Sequence, residues 1–264
     1  MKLSVCICTV FGEYEFVERI AKVKEAGFPA FEFWGWSRLD LDAVTRAKEE
    51  TGLDLAALCV DTADPETKKA MSGGSLVNPE CRGAFLAAAR ETIQVANRLG
   101  CNTIITTVGN AQPHLADAQM HQSIVEGMKA IAPEAEKAGV TFVLEPLNTL
   151  VNHKGYYLWS SAEGFEICRE VGSPAVRLLY DIYHQQIMEG NLIQTITENI
   201  ELIGHFHSAD VPGRHEYGTG EINYRNVLAR IDETGYDGYI GLEYKPTGNS
   251  AASLAQIKTI LGLT

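Results

Sequence analysis

The sequence predicts an α/β fold, a single (β/α)8 barrel over residues 1–264, on two observations. Eight short apolar segments recur along the chain with helical segments between them, and near-continuous apolar runs are typical of parallel strands buried on both faces. The length of 264 residues fits one such barrel, which needs about 250 residues. No linker or low-complexity stretch divides the chain, so we expect one domain.

The strands and helices follow in regular order. We expect the eight strands at residues 3–9, 30–34, 53–60, 103–108, 141–145, 176–181, 203–209 and 239–244. The clearest helices cover Pro79–Leu99 and the segment from Asp117, an expected N-cap, to Ala138, each with one apolar face. Glycine accepts the left-handed conformation that ends a helix. Six glycines stand just before a strand, at Gly27, Gly52, Gly100, Gly139, Gly172 and Gly235.

The longest irregular segment, residues 61–78, follows the third strand. In a barrel of parallel strands, the loops after the strands surround the active site, and a long loop there is usually functional. We interpret this segment as a lid over the site. A disordered surface insertion is the alternative.

The charge balance favours a small-molecule substrate. The net charge is −12, whereas a nucleic-acid partner requires a basic stripe and an anionic membrane attracts basic surfaces. We therefore expect neither partner. The chain has no signal-peptide pattern and no apolar run of about 20 residues, so the expected location is the cytoplasm. A homo-oligomer is compatible with these features.

The cysteines show no disulfide framework. The six positions include no CxxC pair. Cys6 and Cys8 project from one face of a predicted strand, which favours core packing over a disulfide. The remaining cysteines have no regular spacing, at Cys59, Cys81, Cys101 and Cys168.

Four acidic or imidazole residues lie at the ends of predicted strands, with spacings of 36, 26 and 36 residues: Glu145, Asp181, His207 and Glu243. Such groups are costly to bury without a partner, and the ends of barrel strands converge on one mouth. We predict that the four hold a divalent metal ion. Carboxylate and imidazole ligands without thiolates suit Mg²⁺, Mn²⁺ or Co²⁺. The alternative is that each makes a salt bridge to a neighbouring loop.

The same residues predict a reaction class. A divalent ion polarises a carbonyl and its neighbouring hydroxyl and stabilises the enediolate that forms when a proton leaves the adjacent carbon. Glu145 and Glu243 are spaced to stand on opposite sides of the mouth. Such a pair of carboxylates can act as base and acid on a planar enediolate.

Three further residues are candidates for substrate binding. His184, three residues after Asp181, either donates to a substrate hydroxyl or supports a ligand carboxylate. Arg214 and Lys245 are the basic residues nearest the site, and each either neutralises a substrate carboxylate or phosphate or pairs with the acidic residues of the site itself.

Other residues near the predicted mouth have structural interpretations. His205, two residues before His207, is expected one layer deeper, as a hydrogen-bonded interior histidine. Glu32 ends the second strand and is followed by Trp34 and Trp36. These tryptophans form either a wall for the carbon skeleton of a substrate or a buried structural cluster.

The chain resembles the hydroxypyruvate isomerase family within the xylose isomerase-like TIM barrels. The similarity covers nearly the whole length, through FGEYEFVERI, VLEPLN, YDIYHQQIMEGN, IGHFHSAD, PGRHEYGTGEINY and GYDGYIGLEYKP. It implies that the four strand-end residues bind the metal and that Glu145 and Glu243 also move protons. It further implies substrate contacts by His184, Arg214 and Lys245.

Two positions depart from the family pattern, and one segment differs from a related group of epimerases. Members of this family can carry Gln where this chain has His207, and His there resembles the related ketose 3-epimerases. Those epimerases show a second acidic residue about six positions after the first Glu, whereas residues 146–155 contain none. Tyr217 stands where Pro is more usual, which we expect to alter only a turn.

The leading hypothesis is a metal-dependent isomerase that interconverts hydroxypyruvate and tartronate semialdehyde or a related short keto acid. A ketose 3-epimerase is the alternative on the same scaffold. A phosphodiesterase resembling the barrel-fold apurinic endonucleases would need more His and Asp ligands and a basic rim, and the net charge of −12 counts against it. A barrel that binds its ligand without turnover is disfavoured by the Glu145 and Glu243 pair.

Overall fold

Parallel β-strands form the wall of a barrel, in a computed structural model that describes residues 1–263. The strands are β1 (Lys2–Cys6), β2 (Ala30–Glu32), β3 (Asp54–Leu55), β4 (Leu58–Cys59), β5 (Thr103–Thr106), β6 (Thr141–Leu144), β7 (Val176–Asp181), β8 (Ile203–Ser208) and β9 (Tyr239–Leu242). Their order in the sheet is β3-β2-β1-β9-β8-β7-β6-β5-β4, with every pair parallel. The predicted α/β barrel is confirmed.

The third predicted strand, residues 53–60, is divided into β3 and β4, so the prediction of eight separate strands needs correction. β3 pairs with β2 and β4 pairs with β5. The segment changes its partner halfway along, where the Cys59 N–H still donates to the Trp34 carbonyl (3.1 Å) and the Val60 N–H donates to the Ile105 carbonyl (2.9 Å). These bonds close the ring, and the two short strands occupy the place of one.

In the part of the chain that the structure describes, ten α-helices surround the strands: α1 (Glu18–Glu25), α2 (Leu41–Thr51), α3 (Pro65–Met71), α4 (Arg82–Leu99), α5 (Asp117–Ala138), α6 (Ser161–Val171), α7 (Ile182–Met188), α8 (Leu192–Glu198), α9 (Tyr224–Glu233) and α10 (Ser250–Leu261). The six glycines predicted to end helices all have positive φ, between +64° and +80°. Within residues 1–263, none of these helices is long and apolar enough to cross a membrane.

Two predicted helix starts are shifted. The helix expected from Pro79 begins at Arg82, after a 3-10 turn over Pro79–Cys81, because the Asn78 side chain accepts the Glu80 N–H (3.0 Å) and tightens that turn. Asp117 is the first residue of α5 and not its N-cap, which is Ala116. The Ala116 N–H donates to the Gln119 side chain at 2.9 Å instead.

Residues 61–78 are not irregular, contrary to expectation. They contain α3, which Asp64 caps by accepting the N–H groups of Glu66 and Thr67, and a 3-10 turn over Ser75–Val77. Leu76 is fully buried, so the segment is anchored in the main core. Its role as a lid stays a prediction.

Side chains inside the ring form a layer separate from the main core between strands and helices. Ala57, Ile105, Val143 and Leu179 make up this apolar layer, with Cys59 against it. Strands β1, β2 and β8 contribute buried polar groups instead, among them Ser4, Glu32 and His205. The barrel interior therefore has one apolar side and one polar side. All six cysteines are free, as expected.

Leu179→Ala tests the packing of the inner layer. Leu179 is fully buried, and truncating a buried Leu typically costs about 2–5 kcal/mol. We expect a loss of this size in the free energy of unfolding, measured by urea denaturation followed by circular dichroism. Leu150, 72% exposed, provides the matched control, and Leu150→Ala should change stability by less than about 0.5 kcal/mol. Equal effects would show that the inner layer is loosely packed.

Candidate active site

The four residues predicted to bind metal lie together at the carboxyl ends of the strands. Glu145 and Glu243 directly follow β6 and β9, while Asp181 and His207 lie within β7 and β8. All four are buried, and one donor atom from each lies within 4.8 Å of the others. The structure therefore brings the predicted set to one point, and its metal-binding role stays a prediction.

His207 is the centre of this group. Its Nδ1 lies 3.0 Å from Glu145 Oε1 and 3.4 Å from Glu243 Oε2, and its Nε2 lies 2.9 Å from Glu32 Oε1. Burial alone would lower the pKa of His207, but the three carboxylates outweigh burial and raise it well above its usual value. The imidazole is thus held among negative charges on both of its edges.

Asp181 has one oxygen fixed and one directed to the site. Its Oδ1 accepts the N–H groups of Tyr183 (2.8 Å) and His184 (3.2 Å) at the start of α7, which is the usual way a carboxylate caps a helix. Its Oδ2 lies 3.9 Å from Arg214 Nη2. Burial raises the pKa of Asp181, and the attraction of Arg214 only partly opposes this.

Arg214 provides positive charge beside Glu243 and Asp181. Its Nη2 contacts Glu243 Oε2, its Nε donates to the Glu243 carbonyl (3.3 Å), and its guanidinium lies 5.3 Å from the centre of the Tyr183 ring. Burial alone would raise the pKa of Glu243, but His207 and Arg214 hold it well below its usual range. Arg214 itself has φ of +60°, a conformation that is rare for residues other than glycine and common at functional sites.

Asp210 orders the loop that carries Arg214. Its buried carboxylate accepts four backbone N–H groups, from Val211, Gly218, Gly220 and Ile222. At Gly220, a Cβ atom would lie 2.0 Å from the Val211 carbonyl oxygen, so the loop folds this tightly only with glycine there. Hydrogen bonds within residues 210–222 therefore fix the conformation of this loop.

His184 is a neutral imidazole beside the site. Its Nδ1 accepts the backbone N–H (3.0 Å) and side-chain amide (2.6 Å) of Asn148, which leaves the proton on Nε2. Burial, followed by the charge of Arg214, lowers the pKa of His184 to about 3. Its Nε2 lies 3.4 Å from Asp181 Oδ2 and has no hydrogen-bond partner among residues 1–263, so it is available as a donor.

The two tryptophans lie in different surroundings, one at the mouth of the barrel and one in the core. Trp34 is 41% exposed and its Nε1 donates to Glu243 Oε1 at 2.6 Å, so its ring lies at the mouth. Trp36 is buried and donates to Thr92 Oγ1 at 3.2 Å, a structural contact. Lys245 is exposed, and its backbone N–H donates to the Arg214 carbonyl at 2.7 Å.

Glu32 belongs to a buried polar network that the sequence interpretation missed. Its Oε2 accepts from Ser4 Oγ (2.6 Å) and His205 Nε2 (3.0 Å). Burial alone would raise the pKa of Glu32, but His207 and His205 lower it to about 2. The signal in the sequence is a fourth acidic residue at a strand end, next to the tryptophans. His205 is an interior histidine, as expected.

The donor set fits a divalent metal ion. Three carboxylates and one imidazole converge with Arg214 as the only arginine in contact with them among the described residues. Oxygen ligands with a single nitrogen suit Mg²⁺, Mn²⁺ or Co²⁺ better than a thiolate-preferring metal. Three converging carboxylates repel one another, and the single charge of Arg214 offsets only part of this repulsion, so the geometry agrees with this chemistry.

Known proteins show the same architecture. A family model described as a xylose isomerase-like TIM barrel matches residues 20–260. A crystal structure described as AP endonuclease, family 2, from Brucella melitensis has a TM-score of 0.90 at 28% identity and covers 98% of this chain and 99% of that one. The chain belongs to the xylose isomerase-like TIM barrel family.

Curated relatives indicate which members of this family the chain is similar to. The hydroxypyruvate isomerase of Escherichia coli (strain K12) is 30% identical, with 96% of this chain and 97% of that protein covered. The 2-oxo-tetronate isomerase of Cupriavidus necator is 32% identical, with 99% of each covered. Within its family, the chain groups with these isomerases, as its motifs predicted.

Asp210→Asn tests whether this carboxylate orders the loop. The amide nitrogen would face N–H donors, and hydrogen bonds to a charged group contribute about 1.5–3 kcal/mol each. We expect a loss of at least about 2 kcal/mol in unfolding free energy, together with faster amide hydrogen exchange in residues 210–222. Asp237→Asn, at an exposed aspartate, is the control. Unchanged exchange in residues 210–222 would contradict the role of Asp210.

Proposed function

We propose that this protein is a divalent-metal-dependent isomerase that interconverts hydroxypyruvate and tartronate semialdehyde or a closely related short keto acid. The observation that carries the proposal is the pair Glu145 and Glu243, whose carboxylates both lie within 3.4 Å of His207 Nδ1 in one buried donor set. The names of the full-length relatives support a keto-acid isomerase.

The two glutamates would move the proton. One carboxylate removes a proton from the substrate carbon that bears the hydroxyl, and a glutamate returns it to the neighbouring carbon, through an enediolate. Trp34 and Arg214 both contact the Glu243 carboxylate, so its orientation is set before substrate arrives. Positioned acid–base catalysis contributes about 10²- to 10⁴-fold.

The ion would be held by Glu145, Asp181, His207 and Glu243. When bound, it would withdraw electron density from the carbonyl and hydroxyl oxygens of the substrate. The Asp181 oxygen that does not cap α7 lies beside His184 and Arg214 and would be the one that binds the ion.

Three residues would contact the substrate. Arg214 lies inside the site and would bind the carboxylate of a keto acid. His184 offers its Nε2–H to a substrate hydroxyl. Lys245 is exposed on the loop after β9, where its charge would attract an anionic substrate toward the mouth.

A ketose 3-epimerase remains the second candidate, because His207 stands in the donor set. It would use the same glutamates on a longer substrate held by hydroxyl contacts. The stretch after Glu145 lacks a second acidic residue, and the cationic Arg214 in the site favours an acid substrate.

Glu145→Gln and Glu243→Gln test the proton transfer. Each removes a titratable carboxylate while keeping the side-chain shape, and we expect turnover of hydroxypyruvate to fall at least about 100-fold. Circular dichroism should show an intact fold. Glu201→Gln, at an exposed glutamate, should leave activity unchanged. If either active-site variant keeps near-full activity, that residue does not move the proton.

Proton exchange in deuterated water tests the substrate. The protein with Mn²⁺ or Mg²⁺ is presented with hydroxypyruvate and, separately, with free ketoses, and products are followed by NMR. We expect deuterium in hydroxypyruvate and the appearance of tartronate semialdehyde. Exchange confined to C3 of a ketose would instead identify a 3-epimerase.

A further inference from the structure

Glu32 lies one layer below the donor set, against the edge of His207 that faces away from Glu145. Its Oε1 is 2.9 Å from His207 Nε2. Neither atom makes a hydrogen bond among residues 1–263, so their contact is a close pairing of carboxylate and imidazole without hydrogen-bond geometry. Both side chains are about 1% exposed, so no bulk water competes for the contact. The contact between these two atoms is therefore shielded from solvent.

The other oxygen of Glu32 is already engaged. Ser4 Oγ donates to Oε2 at 2.6 Å and His205 Nε2 lies 3.0 Å from it. Glu32, His205 and His207 also have the spacing of an ion site. The hydroxyl and imidazole already on Oε2, and the closed surroundings, make this group a hydrogen-bonded support and not a second ion site.

The neighbouring strand leaves space for this contact. Gly241 lies in register with His207 across β8 and β9. A Cβ atom at this position would lie 2.2 Å from Glu32 Oε1 and 2.7 Å from His207 Cδ2. Any larger residue would force the carboxylate and the imidazole apart, so the glycine is required by the pair.

We propose that Glu32 is a positioning residue that keeps a proton on Nε2 of His207 and so leaves Nδ1, which lies beside Glu145 and Glu243, as the nitrogen that binds the ion. An imidazole that binds a metal through one nitrogen commonly donates its other N–H to a carboxylate, which fixes both tautomer and ring orientation. The inference rests on the proposed metal site. It assigns to Glu32 and Gly241 a role in ion affinity, with neither residue touching the ion.

Isothermal titration calorimetry with Mn²⁺ measures the effect without reference to turnover. Loss of such a supporting carboxylate typically weakens metal affinity about 10- to 100-fold, and we expect this weakening in Glu32→Gln. Gly241→Ala, which displaces the carboxylate without removing it, should weaken binding in the same direction. Glu201→Gln is the matched control and should bind as the wild-type protein does.

The wild-type protein gives an independent readout if a variant fails to fold. Long-range ¹H–¹⁵N spectra of the Mg²⁺-loaded protein should show His207 with its proton on Nε2 and none on Nδ1, with the signals assigned by their loss in His207→Gln. The opposite tautomer would overturn the proposal.

The outcomes separate this inference from the proposed function. If the wild-type protein does not bind Mn²⁺, the metal site fails and the role of Glu32 fails with it. If the wild-type protein binds Mn²⁺ and Glu32→Gln binds it equally well, the metal site stands and only the role of Glu32 is overturned.

Discussion

The constraint on which this structure depends is the burial of four carboxylates within one barrel. Glu32, Glu145, Asp181 and Glu243 are each at most 6% exposed, and a buried charge without compensation is strongly destabilising. His207 and Arg214 offset part of this charge. Hydrogen-bond donors stabilise the rest: the backbone N–H groups at the start of α7, the indole of Trp34, and Ser4 and His205 beside Glu32. The arrangement of residues at the mouth of the barrel depends on this compensation of buried negative charge.

Much of the fold and the main residues of the site could be predicted from the chain alone. The alternation of apolar strands and helices and the terminal glycines predicted the barrel, because strand burial and helix termination follow from local chemistry. Four strand-end residues converge because parallel strands of one barrel end at one mouth. The division of residues 53–60 could not be predicted, since it depends on which neighbour each half pairs with across the sheet.

Longer-range contacts account for what the sequence did not reveal. Glu32 and His207 are 175 positions apart and meet only because the ring closes. No local sequence pattern distinguishes Asp210 from other aspartates in loops. Its four hydrogen bonds from backbone N–H groups depend on a tight turn that requires Gly220. The helix within residues 61–78 was hidden because its buried contact is made by Leu76, outside the helix itself. The residue roles in metal and substrate binding stay predictions.

The hydrogen bonds within residues 210–222 limit how the mouth of the barrel can vary in sequence and length. This side of the rim cannot change length or sequence without disturbing Arg214 and, through it, Glu243. The loop after β6 differs, because the side chains of Leu150 and Val151 are 72% and 67% exposed, while Asn148 accepts the backbone N–H groups of Val151 and Asn152, which do not depend on the side chain. Designed versions of this barrel with another substrate size should therefore tolerate side-chain changes in the loop after β6 better than in the loop after β8.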